Sequence, residues 1–321
     1  MRALNEQQDR IDVVYTWVDD RFPGYAELLR QYAQGGHDLN PNRTRDNLDL
    51  LKYSLRSLRR YAPWVGQIYL LTCRPQVPEW LDPQAPGLTI VHHDQIVEQR
   101  HLPTFNSFAI NSHLHLIEGL ADRFLYIEDD MMFGNAVGPE DLWHADGAVR
   151  LFPRLPRTTA PEQRRNEAIS PWNRALAQCN YLLDQAFGQR RRRFVNHVVL
   201  AIDRPVWREM LERWPAEVER TRASRFRATG NLAFEYLYPY YAFHTGRARM
   251  QSFPHTYATA FYHGLENNRL IALYGRAMIR LLRPKLLALN DNFDDAPMPA
   301  VVAATRRFLE ELFPEPSAFE R

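Results

Sequence analysis

Apolar runs alternate with helically spaced stretches along the first half of the chain. Ile11–Val18 (IDVVYTWV) is β-branched and aromatic and ends at Asp19-Asp20, which predicts a buried strand with acids at its C-terminal end. Over Asp46–Tyr61, apolar residues recur at Leu48, Leu51, Leu55 and Leu58, the spacing of one helix face. Gln67–Thr72 and Leu88–His92 read as two further strands, Ala109–Leu120 as a helix, and Phe124–Ile127 as the next strand. Strands alternating with helices predict an α/β layer fold with a mostly parallel sheet. Ligands of such sheets gather outside the carboxyl ends of the strands. Asp19-Asp20 and Glu128-Asp129-Asp130 both fall there.

The second half is patterned differently. Residues from about Phe152 to Phe194 are rich in Pro, Arg and Gln and include the run Arg190–Arg193. They predict a helical insertion or a mobile lid, at about 152–195, within a single catalytic domain spanning 1–321. The arginine run reads first as a solvated face and second as a binding element for polyanionic glycan or lipid headgroups. Val206–Arg220 looks helical, with Pro215 breaking it or starting its second part. Leu232–Thr245 is an aromatic-rich helix and Ala300–Leu312 a last one. Leu270–Leu289 is basic and amphipathic in places, with Arg276, Arg280, Arg283 and Lys285 beside Leu and Ile. It reads as a surface helix packed on the core, or as an attachment to a membrane surface.

Composition narrows the classes. The chain has 321 residues, 45% of them hydrophobic, enough for a substantial core. A net charge of +2 supplies no global field for nucleic acid, so none is expected as a partner. Lys52 and Lys285 are the only lysines among 40 basic residues, which leaves many guanidinium forks suited to phosphate. Cys73 and Cys179 make no disulfide framework, and a reducing compartment fits best. MRALNEQQDR has no apolar leader core, and no apolar run approaches the roughly 18 residues of a spanning helix. The expected location is cytoplasmic, with peripheral association at the inner face of the membrane left open. GxxxxGK[ST], GxGxxG and GxSxG are all missing, which disfavours P-loop kinases, dinucleotide oxidoreductases and elbow hydrolases.

The candidate chemistry centres on Phe124–Gly134, FLYIEDDMMFG. Three acids directly after a buried strand crowd like charges, which is unfavourable without a cation. Mg²⁺ (or Mn²⁺) bound by one or two carboxylates and substrate phosphates would relieve it. His197, in NHVVLAI, suits removal of a proton from a sugar hydroxyl, or is simply a satisfied structural group. Arg225 and Arg227 of SRFR project to one side if extended, and such a cation would neutralise a phosphoryl group in flight. Asn290–Asp294 (NDNFD) is a polar turn or a second source of metal ligands, without the Gly and Glu of an EF-hand loop. His92/His93 and His113/His115 have no partnered acid or Cys at metal spacing and read as structural or substrate-facing.

Taken in order, these segments resemble the Stealth family of sugar-1-phosphate transferases. That family includes capsular polysaccharide phosphotransferases and the catalytic part of N-acetylglucosamine-1-phosphotransferase. Ile11–Asp19 resembles its first block, and Arg45–Thr72 with Leu102–Ile110 and FLYIEDDMMFG the second. Asn196–Arg204 with Ser224–Arg227 resembles the third, and Leu289–Asp294 with Phe313–Glu320 the fourth. The resemblance implies a Rossmann-like, GT-A-like nucleotide-sugar transferase core. It implies transfer of a sugar-1-phosphate from a nucleotide diphosphate sugar, UDP-GlcNAc or a related donor, to a hydroxyl of a saccharide acceptor. The product is a phosphodiester and a nucleoside monophosphate leaves. A glycosyltransferase releasing a nucleoside diphosphate is the alternative, and a non-catalytic glycan-binding protein a third reading. By motif position, Asp130 would be the chief metal carboxylate with Asp129 beside it and Asp291 a second acidic partner. His197 would be the base and Arg227 the phosphate clamp, while Trp17, Asp19, Asp46 and Asn47 would line the donor pocket. Three positions depart from the pattern: Asp20 follows the first-block acid, Glu128 precedes the acid pair and has no assigned role, and Asn231 stands where an acid is common.

Overall fold

The computed structural model describes residues 10–33, 44–293 and 296–321. Residues 1–9 of the segment read for a leader, and Asp294 of NDNFD, lie outside these. The chain begins with β1 (Ile11–Trp17), α1 (Tyr25–Tyr32), α2 (Leu50–Tyr61), β2 (Ile68–Thr72), β3 (Leu88–His92), α3 (Ser107–Asn111), β4 (Arg123–Glu128) and β5 (Met131–Phe133). It continues through β6 (Val149–Leu151), β7 (Pro153–Arg157), α4 (Pro171–Phe187), β8 (Arg193–Val195), β9 (Leu200–Asp203), α5 (Arg204–Arg213), α6 (Pro215–Ala223) and α7 (Phe234–His244). It ends with β10 (Ala248–Met250), α8 (Phe253–Thr259), β11 (Ala260–Leu265), α9 (Arg269–Leu282), β12 (Leu286–Asp291) and α10 (Pro299–Leu312).

The fold is α/β with a mostly parallel central sheet, as the alternating pattern predicts. That sheet has the order β3-β2-β1-β4-β9, parallel except for β9. Val13, Val14 and Tyr15 of β1 are fully buried, as a central strand covered on both faces requires. A second sheet, β11-β12-β5, has β11 parallel and β5 antiparallel to β12. Only Asp129 and Asp130 separate β4 from β5, so the acidic turn is the corner where the chain passes from one sheet to the other. Helix α2 joins the two layers. Its Leu51, Leu55 and Leu58 enter the main core, while Leu50 and Tyr53 enter a smaller one under the second sheet. Buried serines on the same helix satisfy β5: Ser54 donates to the Met131 carbonyl, and the Phe133 N–H donates to Ser57 Oγ at 3.0 Å.

Two stretches differ from their sequence pattern. Ala109–Leu120 is not one helix: α3 stops at Asn111 and a single 3₁₀ turn follows at Leu114–Leu116. Ser112 Oγ and His113 Nδ1 both bond the Ala109 carbonyl, at 2.7 and 2.8 Å, and so compete with the helix backbone. Leu270–Leu289 is a helix only to Leu282. Arg283 caps it at φ 45°, Pro284 cannot continue it, and Leu286–Asp291 is strand β12. The 152–195 stretch is an antiparallel β7–β8 arm around α4, whose Leu176, Cys179 and Leu183 lie in the main core. In its arginine run, Arg190 and Arg191 are exposed, but Arg192 is buried against Asp184 at 2.6 Å. Pro215 opens a second helix, as its position suggests. Among the described residues no helix is long and apolar enough to cross a membrane.

His93 and His113 are held neutral well below the ordinary imidazole range, at about 4, and His115 at about 3. Burial is the main cause, reinforced for His113 and His115 by the Arg222 charge. Unfolded, they would protonate near pH 6.5. Their contribution to stability is therefore complete above that pH and is lost as pH falls from 6.5 toward 4. In melting series from pH 7 to pH 5, Tm of the wild type relative to a His115→Gln variant is expected to fall by roughly 2–4 °C; an unchanged difference would show that this ring is not buried neutral.

Candidate active site

A cavity of about 580 Å³ opens at the carboxyl end of the central sheet, at the crevice where strand order reverses about β1 and β4. Trp17 reaches it from the end of β1, and Glu128, Asp129 and Asp130 from the corner between the sheets. His197 enters from the loop before β9, Arg227 from the loop before α7, and Asn290 and Asp291 from the end of β12.

Asp130 is the hub. Its carboxylate accepts from His197 Nε2 at 3.0 and 3.2 Å and from Asn290 Nδ2 at 2.9 Å. Its carbonyl accepts from the Leu289 N–H at 2.9 Å. The His197 ring is backed edge-on by Tyr262 at 5.8 Å. Burial alone would drive the His197 imidazole down, yet the Asp130 and Glu128 charges win and hold it up at about 10. Burial likewise works against the Asp130 carboxylate, but the imidazolium and two side-chain hydrogen bonds keep it below its usual range. The pair is thus an ion pair at neutral pH.

For the remaining carboxylates burial and repulsion win. Burial, then repulsion from Asp130, raises Glu128 even though His197 and Arg227 pull the other way. Asp129 is raised well above the carboxylate range, first by burial and then by Asp46, Asp130 and Glu128. Donor atoms of Glu128, Asp130 and His197 all lie within 4.8 Å of one another, a grouping able to hold a metal ion. Glu128, which no motif explained, therefore stands with Asp130. Asp291 lines the same cavity, but its oxygens already accept from Asn47 Nδ2 at 2.7 Å and the Phe293 N–H at 3.0 Å. Burial raises it nonetheless.

Arg227 packs over Phe108, its Cζ 4.3 Å from the ring centroid, and donates to Ser107 Oγ at 2.6 Å. Burial lowers its pKa, and Glu235 and Glu128 are the leading opposing charges. Arg225 does not join it: this segment is not extended, and Arg225 packs over Tyr32 at 4.7 Å. Trp17 lines the cavity and donates to Asp46 at 3.3 Å. Asp19, Asp46 and Asn47 are not among the residues that line it. Asp19 binds Arg21 at 3.0 Å, and Asp20 binds Arg45 at 2.9 Å. Asp46 accepts from the Leu50 N–H at 3.0 Å, anchoring the first turn of α2, and burial lifts it to about 6.

Glu235 is the cavity residue that motif reading missed. It sits in the first turn of α7, lines the cavity, and is raised to about 7 by burial and then by Glu128. It supplies the acid near Arg227 that Asn231 could not. The signal was present as one charge in NLAFEYLYPYY, because a carboxylate in so apolar a run is costly unless it has a task.

Fold and site together define an α/β protein with a carboxylate–histidine–arginine pocket at its strand ends. The chain matches the family profiles for Stealth protein conserved regions 2, 3 and 4 over residues 43–151, 196–244 and 277–321. It belongs to the Stealth family. An exopolysaccharide phosphotransferase of Streptomyces coelicolor is 36% identical over 97% of this chain and 57% of its own length. One from Nocardia farcinica is 36% identical over 97% of this chain and 61% of its own. The chain thus spans little more than half the length of these curated relatives. Among solved structures it is similar to the galactosyltransferase LgtC, with 12% identity over 96% of each chain and a TM-score of 0.42. It is also similar to the bifunctional glycosyltransferase WbbM, with 10% identity over 96% of this chain and 50% of that one and a TM-score of 0.46. Both superpositions are too loose to bear on the chemistry.

Because Glu235 is raised from 4.5 to about 7, its charging opposes folding: the contribution is fully present below pH 4.5 and lost as pH rises through 7. In chelator at pH 8, Glu235→Gln is expected to raise stability by about 1–3 kcal/mol, with the gain vanishing toward pH 4.5. Paired denaturant titrations check this, and a destabilised variant at pH 8 would contradict it.

Proposed function

We propose that this protein transfers a sugar-1-phosphate from a nucleotide diphosphate sugar to a saccharide hydroxyl in the synthesis of a capsular or other surface polysaccharide. The observation that carries the reading is the Asp130–His197 pair, 3.0 Å apart, in one cavity with Arg227. The names of the relatives point the same way. The donor is UDP-GlcNAc or a related nucleotide sugar, with Trp17 at the pocket wall.

In this reaction the acceptor oxygen forms a bond to the sugar-bearing phosphorus. The P–O bond of the pyrophosphate breaks, and its electron pair leaves with the nucleoside monophosphate. Arg227 is pressed between an aromatic face and the cavity, so it meets the phosphoryl oxygens as a planar cation with little rotamer freedom to lose. His197 in its neutral form takes the hydroxyl proton, and Asp130 orients the ring. As an imidazolium beside uncompensated carboxylates it cannot do so, which makes charge in the pocket the condition for turnover.

The Glu128 and Asp130 carboxylates, with donor atoms inside 4.8 Å, fit a divalent cation. Carboxylate oxygens suit Mg²⁺ or Mn²⁺, and His197 stays free of the ion to act as the base. Glu128 and Asp130 would hold it with Asp129 beside them, while Asp291 supports the wall through Asn47. Such an ion would neutralise the donor pyrophosphate when bound.

The discriminating measurement is the released nucleotide. Chromatography of the reaction is expected to show a nucleoside monophosphate; a diphosphate would mean glycosyl transfer instead. Asp130→Asn is expected to lower turnover by about 10³-fold with an unchanged circular dichroism spectrum. Mn²⁺ is expected to raise Tm of the wild type by a few degrees and to leave Glu128→Gln and Asp130→Asn unmoved. Full activity in Asp130→Asn would remove the metal assignment.

A further inference from the structure

Helix α9 is built with its apolar side outward. Ala272, Gly275 and Ile279 face the protein. Gly275 sets that orientation, because a Cβ there would stand 2.2 Å from the His263 ring of β11. With that side docked, Leu270, Leu273, Tyr274 and Leu281 are left 76, 56, 59 and 75% exposed. Their spacing, with Ala277 between, is that of one helical face, so they form a stripe and not scattered apolar residues. An ordinary surface helix would turn a polar face to water.

One flank of the stripe is basic. Between Asn267 and Asn290 there is no Asp or Glu, while Arg269, Arg276, Arg280, Arg283 and Lys285 all fall there. Lys285 is paired with Asp141 and Arg280 with Glu311, and Arg276 is drawn partly inward with its Nη1 buried, so the exposed Arg269 and Arg283 are the ones placed to answer an external negative charge. The helix also has a defined place relative to the cavity. It joins the parallel strands β11 and β12 and so runs back against them. Its first turn, with Arg269 and Leu270, therefore lies at the strand ends that carry Asn290 and Asp291.

We propose that α9 is a surface for docking on an anionic lipid bilayer, with the leucine–tyrosine stripe entering the headgroup–acyl boundary and the arginines meeting lipid phosphates. Charge complementarity selects this occupant. A second copy would set the same basic helix against itself, whereas a bilayer rich in acidic headgroups satisfies both the apolar stripe and its arginines. Docking there holds the cavity end of the molecule toward the bilayer.

The test is flotation of the whole chain with vesicles of phosphatidylcholine containing about one third phosphatidylglycerol, against pure phosphatidylcholine, at low and high salt. The wild type is expected to float with the anionic vesicles at low salt and at least about tenfold less with neutral ones. Leu270→Ser/Leu273→Ser/Leu281→Ser is expected to lose binding at either salt, while Arg269→Gln/Arg283→Gln loses mainly the preference for anionic lipid. These positions are exposed, so an unchanged melting curve confirms that each variant is folded. Wild-type protein that stays with the soluble fraction overturns the proposal, as does a triple leucine variant that floats normally. Light scattering that reveals a dimer abolished by the leucine changes would assign the face to a second copy and equally overturn it.

Discussion

The structure depends on one buried carboxylate. Asp130 stands at the corner where the chain leaves the central sheet for the second one, and it is tied there from both sides. Its main-chain carbonyl holds β12 through the Leu289 N–H, and its side chain holds Asn290 of the same strand and His197 from the loop before β9. Removing a charge from water into this corner is expensive, and the imidazolium makes it tolerable. The same contacts that fasten two sheets together therefore fix the geometry of the site. The corner cannot relax without moving the histidine, and the histidine cannot titrate freely while Asp130 is ionised.

Around that pair the protein gathers more negative charge than it neutralises. Glu128, Asp129, Asp46, Asp291 and Glu235 are all raised above their ordinary ranges, with burial the first cause in each. A core assembled only for stability would not hold them. Some are braced for local reasons, as when Asp46 anchors α2 and Asn47 braces Asp291. Glu128 accepts from the Tyr126 hydroxyl at 3.3 Å and is still raised, as is Asp129, so burial and mutual repulsion outweigh what holds them. Arg227, half-buried over Phe108, is a cation of the cavity lining, and Glu235 and Glu128 are the leading charges that act on it.

Much of this was legible in the chain. The strands of the central sheet follow from unbroken apolar runs, and α2 from leucines at helical spacing, because burial on both faces or on one stripe leaves those periods in the sequence. The acids after β1 and β4 were legible as strand-end residues. Other features were not. Ala109–Leu120 has helical composition, yet side chains of Ser112 and His113 take a carbonyl the helix needs. Leu270–Leu289 carries one continuous basic and apolar pattern, and only Pro284 in its tertiary setting divides helix from strand. The Arg225/Arg227 alternation suggested a shared direction, which the turn they occupy does not give. Glu235 was visible as an isolated charge but not as a neighbour of Arg227.

The sequence by itself determined the layer fold, the strand ends where chemistry gathers, and the short list of acids, histidine and arginine. These are local properties: periodicity, breakers and the cost of adjacent like charges act within a few residues. Tertiary structure alone decided which members of that list share a cavity. It set Glu128 beside Asp130, turned Asp291 toward Asn47, kept Asp46 for α2, and brought in Glu235. It also left the apolar stripe of α9 facing outward. Such outcomes depend on distances between residues far apart in the chain, and burial converts those distances into charge states that no local pattern encodes.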